Sequence, residues 1–317
     1  MIEISEQVLD QEVPSPMAVA WAAQRIANAD GLIIAAGAGM GVDSGMPDFR
    51  GNAGFWKAYP ALARKGIAFM DVAAPATFYN EPRRAWGFYG HRLALYRNTV
   101  PHLGYHLLRQ WAAAMQQGYL VFTSNVDGHF QKAGYASDRI TECHGSIHEL
   151  QCLQPCSLAL WPAAGITLQV DAEHCELLGA PPMCPRCGST ARPNILLFDD
   201  TAWIGEHYKQ QAMLHQAWIE RLRRPVVIEI GAGVGLPTVR RFSERLVLQH
   251  GATLIRINPH QPHVGNLAGI GIASGALPTL SAIDAELRKS IVSTRLISSQ
   301  SRTQQGKQHT RCLGDDK

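Results

Sequence analysis

Charge is scarce in this chain, and long apolar runs are absent. Asp, Glu, Lys and Arg make up 17% of its 317 residues, and the formal net charge is +3. Nucleic-acid binding needs Lys and Arg clustered on one face. Part of the small excess lies instead in the terminal stretch Arg288, Lys289, Arg295, Arg302, Lys307, Arg311 and Lys317. A nucleic-acid partner is therefore not expected. No run approaches the roughly 18 apolar residues that a bilayer span requires. The N-terminal MIEISEQVLDQEVPSP is acidic and lacks the apolar centre of a secretory leader. These absences predict a cytoplasmic protein with no membrane contact, where disulfides are disfavoured. The seven cysteines then need another explanation, and six of them fall between Cys143 and Cys187. Such clustering points to metal.

Apolar residues, at 46%, suffice for a sizeable core in one large domain or two smaller ones. Helical spacing runs over 18–29, 102–117 and 207–223. Short apolar runs at Leu32–Ala36, Tyr119–Thr123, Val226–Ile230 and Leu254–Ile257 have the length of buried parallel strands. Ile140–Ser146 and Ile195–Phe198 read as further strand exits. Alternation of helices with such strands predicts an α/β fold with a doubly wound, parallel, Rossmann-like sheet. Ligands of such sheets sit outside the carboxyl ends of the strands. Here those ends carry polar or Gly-rich sequence. Residues 52–100 are rich in aromatics, broken by Pro60, Pro75 and Pro82 into short helical pieces and expected to be mostly core. Residues 147–192 hold cysteines and prolines with little periodicity, as in a small inserted module. From 291 the composition is that of a disordered tail.

The most informative stretch is GLIIAAGAGMGVDSGMPDFRG, residues 31–51. A strand ending in Gly37, Gly39 and Gly41 allows a tight turn that brings backbone N–H groups to a pyrophosphate. It is not the dehydrogenase fingerprint: Val42 takes the place of the required sixth-position glycine, and Lys57 and Ala58 stand where a ribose-binding acid is wanted. Asp48, Phe49 and Arg50 follow instead. In the cysteine module, Cys184-x2-Cys187 has the spacing of a zinc knuckle, and Cys152-x3-Cys156 falls within the range of structural sites. Cys175 or His174 could stand in for Cys156, and Cys143 reads as a bystander.

GAGMGVDSGMPDFRG resembles the NAD-binding signature of the sirtuins, the NAD-dependent protein-lysine deacylases. TSNVDGHFQKAG (123–134) resembles their second signature and HGS (144–146) their catalytic histidine motif. The cysteine module is similar to their zinc insert, and RPNILLFDD, GAGVGLP and the Ile257-Asn258 pair follow in the family's order. The resemblance spans about residues 18–285. It implies a catalytic domain over 18–290, with a core at 18–51, 101–146 and 193–290, a helical insert at 52–100 and a zinc module at 147–192.

By that resemblance, Gly37, Ala38 and Gly39 would face the NAD pyrophosphate. Asp48, Phe49 and Arg50 would line the ribose and nicotinamide, with Ser124 at the ribose. Asn125 and Asp127 would receive the carboxamide, while Gly231, Gly233 and Asn258 would border the phosphates and adenosine. Asn125 and His144 would be catalytic, His144 as general base, a task suited to its titration range. Cys152, Cys156, Cys184 and Cys187 would hold one structural zinc. Phe198 would line the acyl-lysine channel. Tyr89 and Arg92, at i and i+3 on one helical face, match the pair with which some sirtuins bind acidic acyl groups such as succinyl.

Several positions depart from the family pattern. Ser124 stands for Gln, Gly41 for Ser and Gly128 for a bulkier residue. Asp199-Asp200 replaces Gly-Glu, and Gly231-Ala232-Gly233 replaces Gly-Thr-Ser. The implied activity is a transferase-type protein deacylase acting on acyl-lysine proteins or peptides, releasing nicotinamide and O-acyl-ADP-ribose. NAD glycohydrolysis, mono-ADP-ribosyl transfer, and NAD sensing without catalysis remain as alternatives.

Overall fold

The structure, a computed structural model, describes residues 13–47 and 51–290. Asp48, Phe49, Arg50 and the tail from 291 lie outside the described residues. Helix α1 (Pro16–Ala27) opens the fold, with Pro16 in its first turn, where a missing N–H costs nothing. Its buried side chains, Ala18, Val19, Ala22, Ala23 and Ile26, form one stripe. Strand β1 (Gly31–Ala36) is buried throughout and runs into a 3-10 turn over Ala38–Ser44.

Five helices then form the aromatic insert: α2 (Gly51–Ala58), α3 (Pro60–Arg64), α4 (Phe69–Val72), α5 (Pro75–Asn80) and α6 (Pro82–Asn98). Proline starts three of them, so the prolines that interrupt the sequence pattern set helix beginnings. Next come α7 (Leu103–Ala113), β2 (Tyr119–Thr123), α8 (His129–Lys132) and β3 (Ile140–Glu142). Helix α7 begins where the His102 ring accepts from the Gly104 N–H and ends four residues short of the expected 117.

Strands β4 (Gly145–Cys152), β5 (Trp161–Pro162), β6 (Gln169–Asp171), β7 (Glu176–Leu178) and β8 (Ala191–Ile195) follow, then α9 (Glu206–Ile219), β9 (Pro225–Ile230), α10 (Thr238–His250), β10 (Thr253–Ile257), β11 (Gly269–Ile272) and a helix over 276–290. The sequence reading missed the last two elements.

The main sheet has the order β11-β10-β9-β1-β2-β3, parallel throughout. This is the doubly wound arrangement, whose direction reverses between β1 and β9. Alternate β1 side chains feed two cores. Leu32, Ile34 and Ala36 pack with α1 and α7, while Ile33 and Ala35 pack with Trp218, Val239 and Phe242. Both faces are covered, which is why the strands are continuously apolar.

The strand exit expected at Ile195–Phe198 is not found: only Ile195 is strand, as the last residue of β8, which lies outside this sheet. Strand β8 pairs antiparallel with β4 in a three-stranded sheet, β5-β4-β8. The separate β6–β7 hairpin lies against α6. That docking needs small residues on α6: a Cβ at Gly87 would come within 2.3 Å of the Cys175 carbonyl oxygen, and one at Gly90 within 3.0 Å of Leu168. Arg97 reinforces it, donating to the carbonyls of Ile166 (2.7 Å) and Ala163 (2.6 Å). Among the described residues, no helix is long and apolar enough to cross a membrane.

Candidate active site and metal centre

The loops after β1, β2, β3 and β9 meet at the switch point. The loops after β1 and β9 touch backbone to backbone. A Cβ at Gly231, whose φ is +62°, would lie 2.3 Å from the Gly39 Cα, and one at Gly37 would lie 2.7 Å from the Gly231 carbonyl oxygen. The Gly37 N–H donates to the Ile230 carbonyl (2.9 Å) and the Gly39 N–H to the Gly231 carbonyl (3.1 Å). These glycines therefore spend their N–H groups on joining two loops, whereas the sequence reading expected them bare. Ala38 and Gly233 are exposed beside the junction, and nothing lies within 4 Å of a Cβ added at Gly233. Asp43 steadies the turn from behind by accepting the Leu277 N–H (2.7 Å) at the start of the helix over 276–290.

The loop after β2 is fixed to β1. Thr123 Oγ1 and the Ser124 N–H both donate to the Ala36 carbonyl (3.0 and 3.1 Å). Asn125 Nδ2 donates to the Gly37 carbonyl at 3.0 Å. Asp127 is buried, and its Oδ1 accepts the His129 N–H (2.9 Å). His148 Nε2 donates to the Asp127 carbonyl (2.8 Å). Gly128, at φ +70°, passes so close to the His148 ring that a Cβ would lie 2.7 Å from it, which accounts for a glycine where a bulkier residue was expected. The sequence offered no sign of this role for His148.

His144 follows β3 and is half-buried. Burial pushes its pKa below the ordinary histidine value, opposed in part by a hydrogen bond to the Ser124 backbone. Its carbonyl accepts the Leu196 N–H (2.9 Å), joining the histidine to the end of β8. Gly145 cannot be replaced there: its φ is +77°, and a Cβ would lie 2.0 Å from the Asn194 carbonyl oxygen. Phe198 is half-buried beyond β8, its ring 5.8 Å from Phe69 and perpendicular to it. Asp200 is buried in an ion pair with Arg192 (2.8 Å), whereas Asp199 is exposed at φ +55°.

Asn258 is buried and committed to backbone. It donates to the Ala232 carbonyl (3.0 Å) and accepts from the N–H groups of His260 (3.1 Å) and Gln261 (3.0 Å). Arg240, absent from the sequence reading, donates to the same Ala232 carbonyl (3.0 Å) and to that of Gln261 (2.6 Å). Together they clamp the loop after β9 to the loop after β10.

Tyr89 and Arg92 share the inner face of α6. Tyr89 is buried and stacked on Phe78 at 5.5 Å. The guanidinium of Arg92, 9% exposed, lies over the rings of Phe88 (5.3 Å) and Tyr96 (5.2 Å).

Cys152, Cys156, Cys184 and Cys187 bring their sulfurs within 4.8 Å of one another, with separations of 3.6 Å (Cys152–Cys187) and 3.7 Å (Cys156–Cys184). A tetrahedral zinc with bonds of about 2.3 Å places its sulfurs roughly 3.8 Å apart, so the four thiolates are positioned for one zinc. The two substitutes are excluded. Cys175 is buried in the hairpin against Gly87, and His174 bonds Asp171 at 2.7 Å. Cys143 is buried in the core on one face of the main sheet.

The model of the Sir2 family matches residues 37–234. An NAD-dependent protein deacylase of Aeropyrum pernix is 30% identical over 82% of this chain and 94% of its own length. NAD-dependent protein deacylase 1 of Pseudomonas aeruginosa is 30% identical over 80% and 94%. Among solved structures, a Sir2 homolog in complex with NAD superposes with a TM-score of 0.65 at 22% identity, over 85% of this chain and 94% of the other. That likeness concerns the fold.

Proposed function

The chain belongs to the Sir2 family, and on that footing we propose how its residues divide the work of an NAD-dependent protein deacylase. NAD is its co-substrate, and zinc its structural metal. The observation that carries the reading is the convergence of Gly37–Gly39, Asn125, Asp127 and His144 at one switch point. NAD supplies a ribose carbon that becomes electrophilic as nicotinamide leaves.

Asn125 and Asp127 hold the carboxamide, and Asp127 can accept its N–H. Asp48, Phe49 and Arg50, by their place in the motif, line the ribose and nicotinamide, with Ser124 beside them. Ala38 and Gly233 border the phosphates. Asn258 shapes the adenosine side by holding the loop after β9. Phe198 lies along the acyl-lysine channel, where a substrate held in line reacts far faster than a free one. His144, neutral at working pH, takes the proton of a ribose hydroxyl. Arg92, with Tyr89, stands where the distal end of an acyl group longer than acetyl would reach. The products are nicotinamide, deacylated lysine and O-acyl-ADP-ribose. The zinc lies in the β4–β8 module and holds it together. The substrate is an acyl-lysine protein or peptide, and the reduced cysteine set suits the cytoplasm.

Nicotinamide release tests the reading. Release that depends on acyl-lysine peptide is expected. Peptide-independent release would favour glycohydrolysis or ADP-ribosyl transfer, and NAD binding without release would favour a sensor.

A further inference from the structure

Arg92 lies at the end of a continuous aromatic run that starts at the candidate acyl channel. Phe198 meets Phe69 at 5.8 Å, Phe69 meets Phe88 at 6.3 Å, and the Arg92 guanidinium lies 5.3 Å from Phe88. The same core cluster holds Val126 of the loop after β2 and Ile195 of β8. On the deacylase reading, Arg92 is the cation on this side of Phe198 that the distal end of a longer acyl group would meet.

The edge of the guanidinium made by Nε and Nη2 is already occupied. Both atoms donate to one acceptor, the hydroxyl of Tyr96, with Nε at 2.7 Å. Tyr96 is one helical turn along α6 from Arg92 and buried. It is fixed from below: His129, fully buried, meets the Tyr96 carbonyl through Nε2 at 3.4 Å, with the two rings 6.1 Å apart. Among the described residues, the hydrogen bonds that Arg92 makes through this edge go to Tyr96. Tyr59 bonds His91 Nδ1 at 3.0 Å, and Tyr89 stacks on Phe78. Burial keeps the Tyr96 phenol protonated against the pull of Arg92, and Asp127 adds to that effect.

Paired Nε–H and Nη2–H donors form one of the edges on which a guanidinium binds a carboxylate through two parallel bonds. Building on the deacylase reading, we propose that Tyr96 determines acyl specificity: its hydroxyl fills the carboxylate-binding edge of Arg92 and so disfavours acidic acyl groups relative to acetyl. A succinyl-type carboxylate must displace the phenol to reach that edge. An acetyl group has nothing to place there and is indifferent to it. The effect lies in substrate binding, so it is read in KM and not in kcat.

The test uses the full chain, NAD, and two peptides that differ only in acetyl- or succinyl-lysine. In the wild-type protein the succinyl KM should exceed the acetyl KM about tenfold, the scale of one hydrogen bond to a charged group. Tyr96→Phe should remove most of that difference while leaving kcat and the acetyl KM within about twofold. Arg92→Met in the same background should abolish the gain. Tyr96→Met provides a second variant if the ring substitution fails to fold, as judged by melting and acetyl turnover. Equal KM values for the two peptides in the wild type overturn the inference whatever the variants do, as does an unchanged ratio in a folded Tyr96→Phe protein. A wild-type protein that turns over neither peptide overturns the deacylase reading and this inference with it. Turnover of both peptides at an unmoved ratio overturns this inference alone.

Discussion

Asn125 reaches from the loop after β2 to the backbone of the loop after β1, its Nδ2 donating to the Gly37 carbonyl at 3.0 Å. The residue that would face the nicotinamide thus also sets the spacing of the two signature loops. A carboxamide is needed for both tasks, since a carboxylate cannot donate to the carbonyl.

Asn125→Ala should therefore lower kcat/KM for acyl-peptide-dependent nicotinamide release by about 100-fold, the scale seen when a preorganised catalytic donor is removed. NAD affinity should weaken too, because the Gly37 loop loses a tether. Steady-state kinetics together with calorimetric NAD titration check this. Wild-type kinetics in the variant would dismiss both roles.

Burial holds His144 below the ordinary histidine pKa of 6.5. A general base works deprotonated, so kcat/KM should be level above that pKa and fall as pH drops through it. The acid limb is expected below pH 6.5. His144→Ala should abolish peptide turnover and the limb together while the protein stays folded. An acid limb centred above neutrality, or turnover retained in the variant, contradicts the assignment.

Glu142 precedes the catalytic turn, and burial raises its carboxyl from 4.5 to about 8, with Gln131 bonding to it and opposing the shift. Between those values the folded chain holds a proton that the unfolded chain has released. Stability from this group is thus fullest below 4.5, declines as pH rises, and reaches its full penalty above 8. Glu142→Gln cannot ionise. It should stabilise the protein by roughly 2–5 kcal/mol at pH 9 and by little at pH 5. Denaturant unfolding at the two pH values decides; equal shifts at both would refute the argument.

Metal analysis should find about one zinc per chain. Removing it with a chelator should unfold the β4–β8 module, since structural zinc contributes about 10–16 kcal/mol in small zinc-finger peptides. Cys184→Ala should do the same, whereas Cys175→Ala should keep the zinc. Stoichiometric zinc in a folded Cys184→Ala protein would count against the four-thiolate site.

Periodicity and punctuation made most of the fold legible. Leu32–Ala36 and Val226–Ile230 are apolar on both faces, a pattern that a covered parallel strand requires, and both are strands. Gly269–Ile272 was missed because a four-residue strand with two glycines has too little apolar signal. The helix over 276–290 was missed although Ala276, Leu280, Ile283 and Leu287 carry helical spacing. The strand expected at Ile195–Phe198 shares only Ile195 with β8, which lies in another sheet, because apolar propensity fixes neither a strand's bounds nor its partner.

The sequence by itself determined the doubly wound sheet, the placing of Asn125, Asp127 and His144 at strand ends, and the clustering of cysteines that points to metal, while the choice of Cys152, Cys156, Cys184 and Cys187 came from the structure. Those properties follow from local spacing, which side-chain period and ligand geometry dictate directly. Only the tertiary structure decided that Gly37 and Gly39 serve the contact with Gly231, that His148 fixes the Asp127 backbone, that Arg240 and Asn258 clamp the same carbonyl, and that Tyr96 occupies Arg92. Apart from the Tyr96–Arg92 pair on one helix and the Arg240–Ala232 bond eight residues apart, each joins elements well separated in the chain, and each depends on a separation of a few ångströms that no residue spacing encodes.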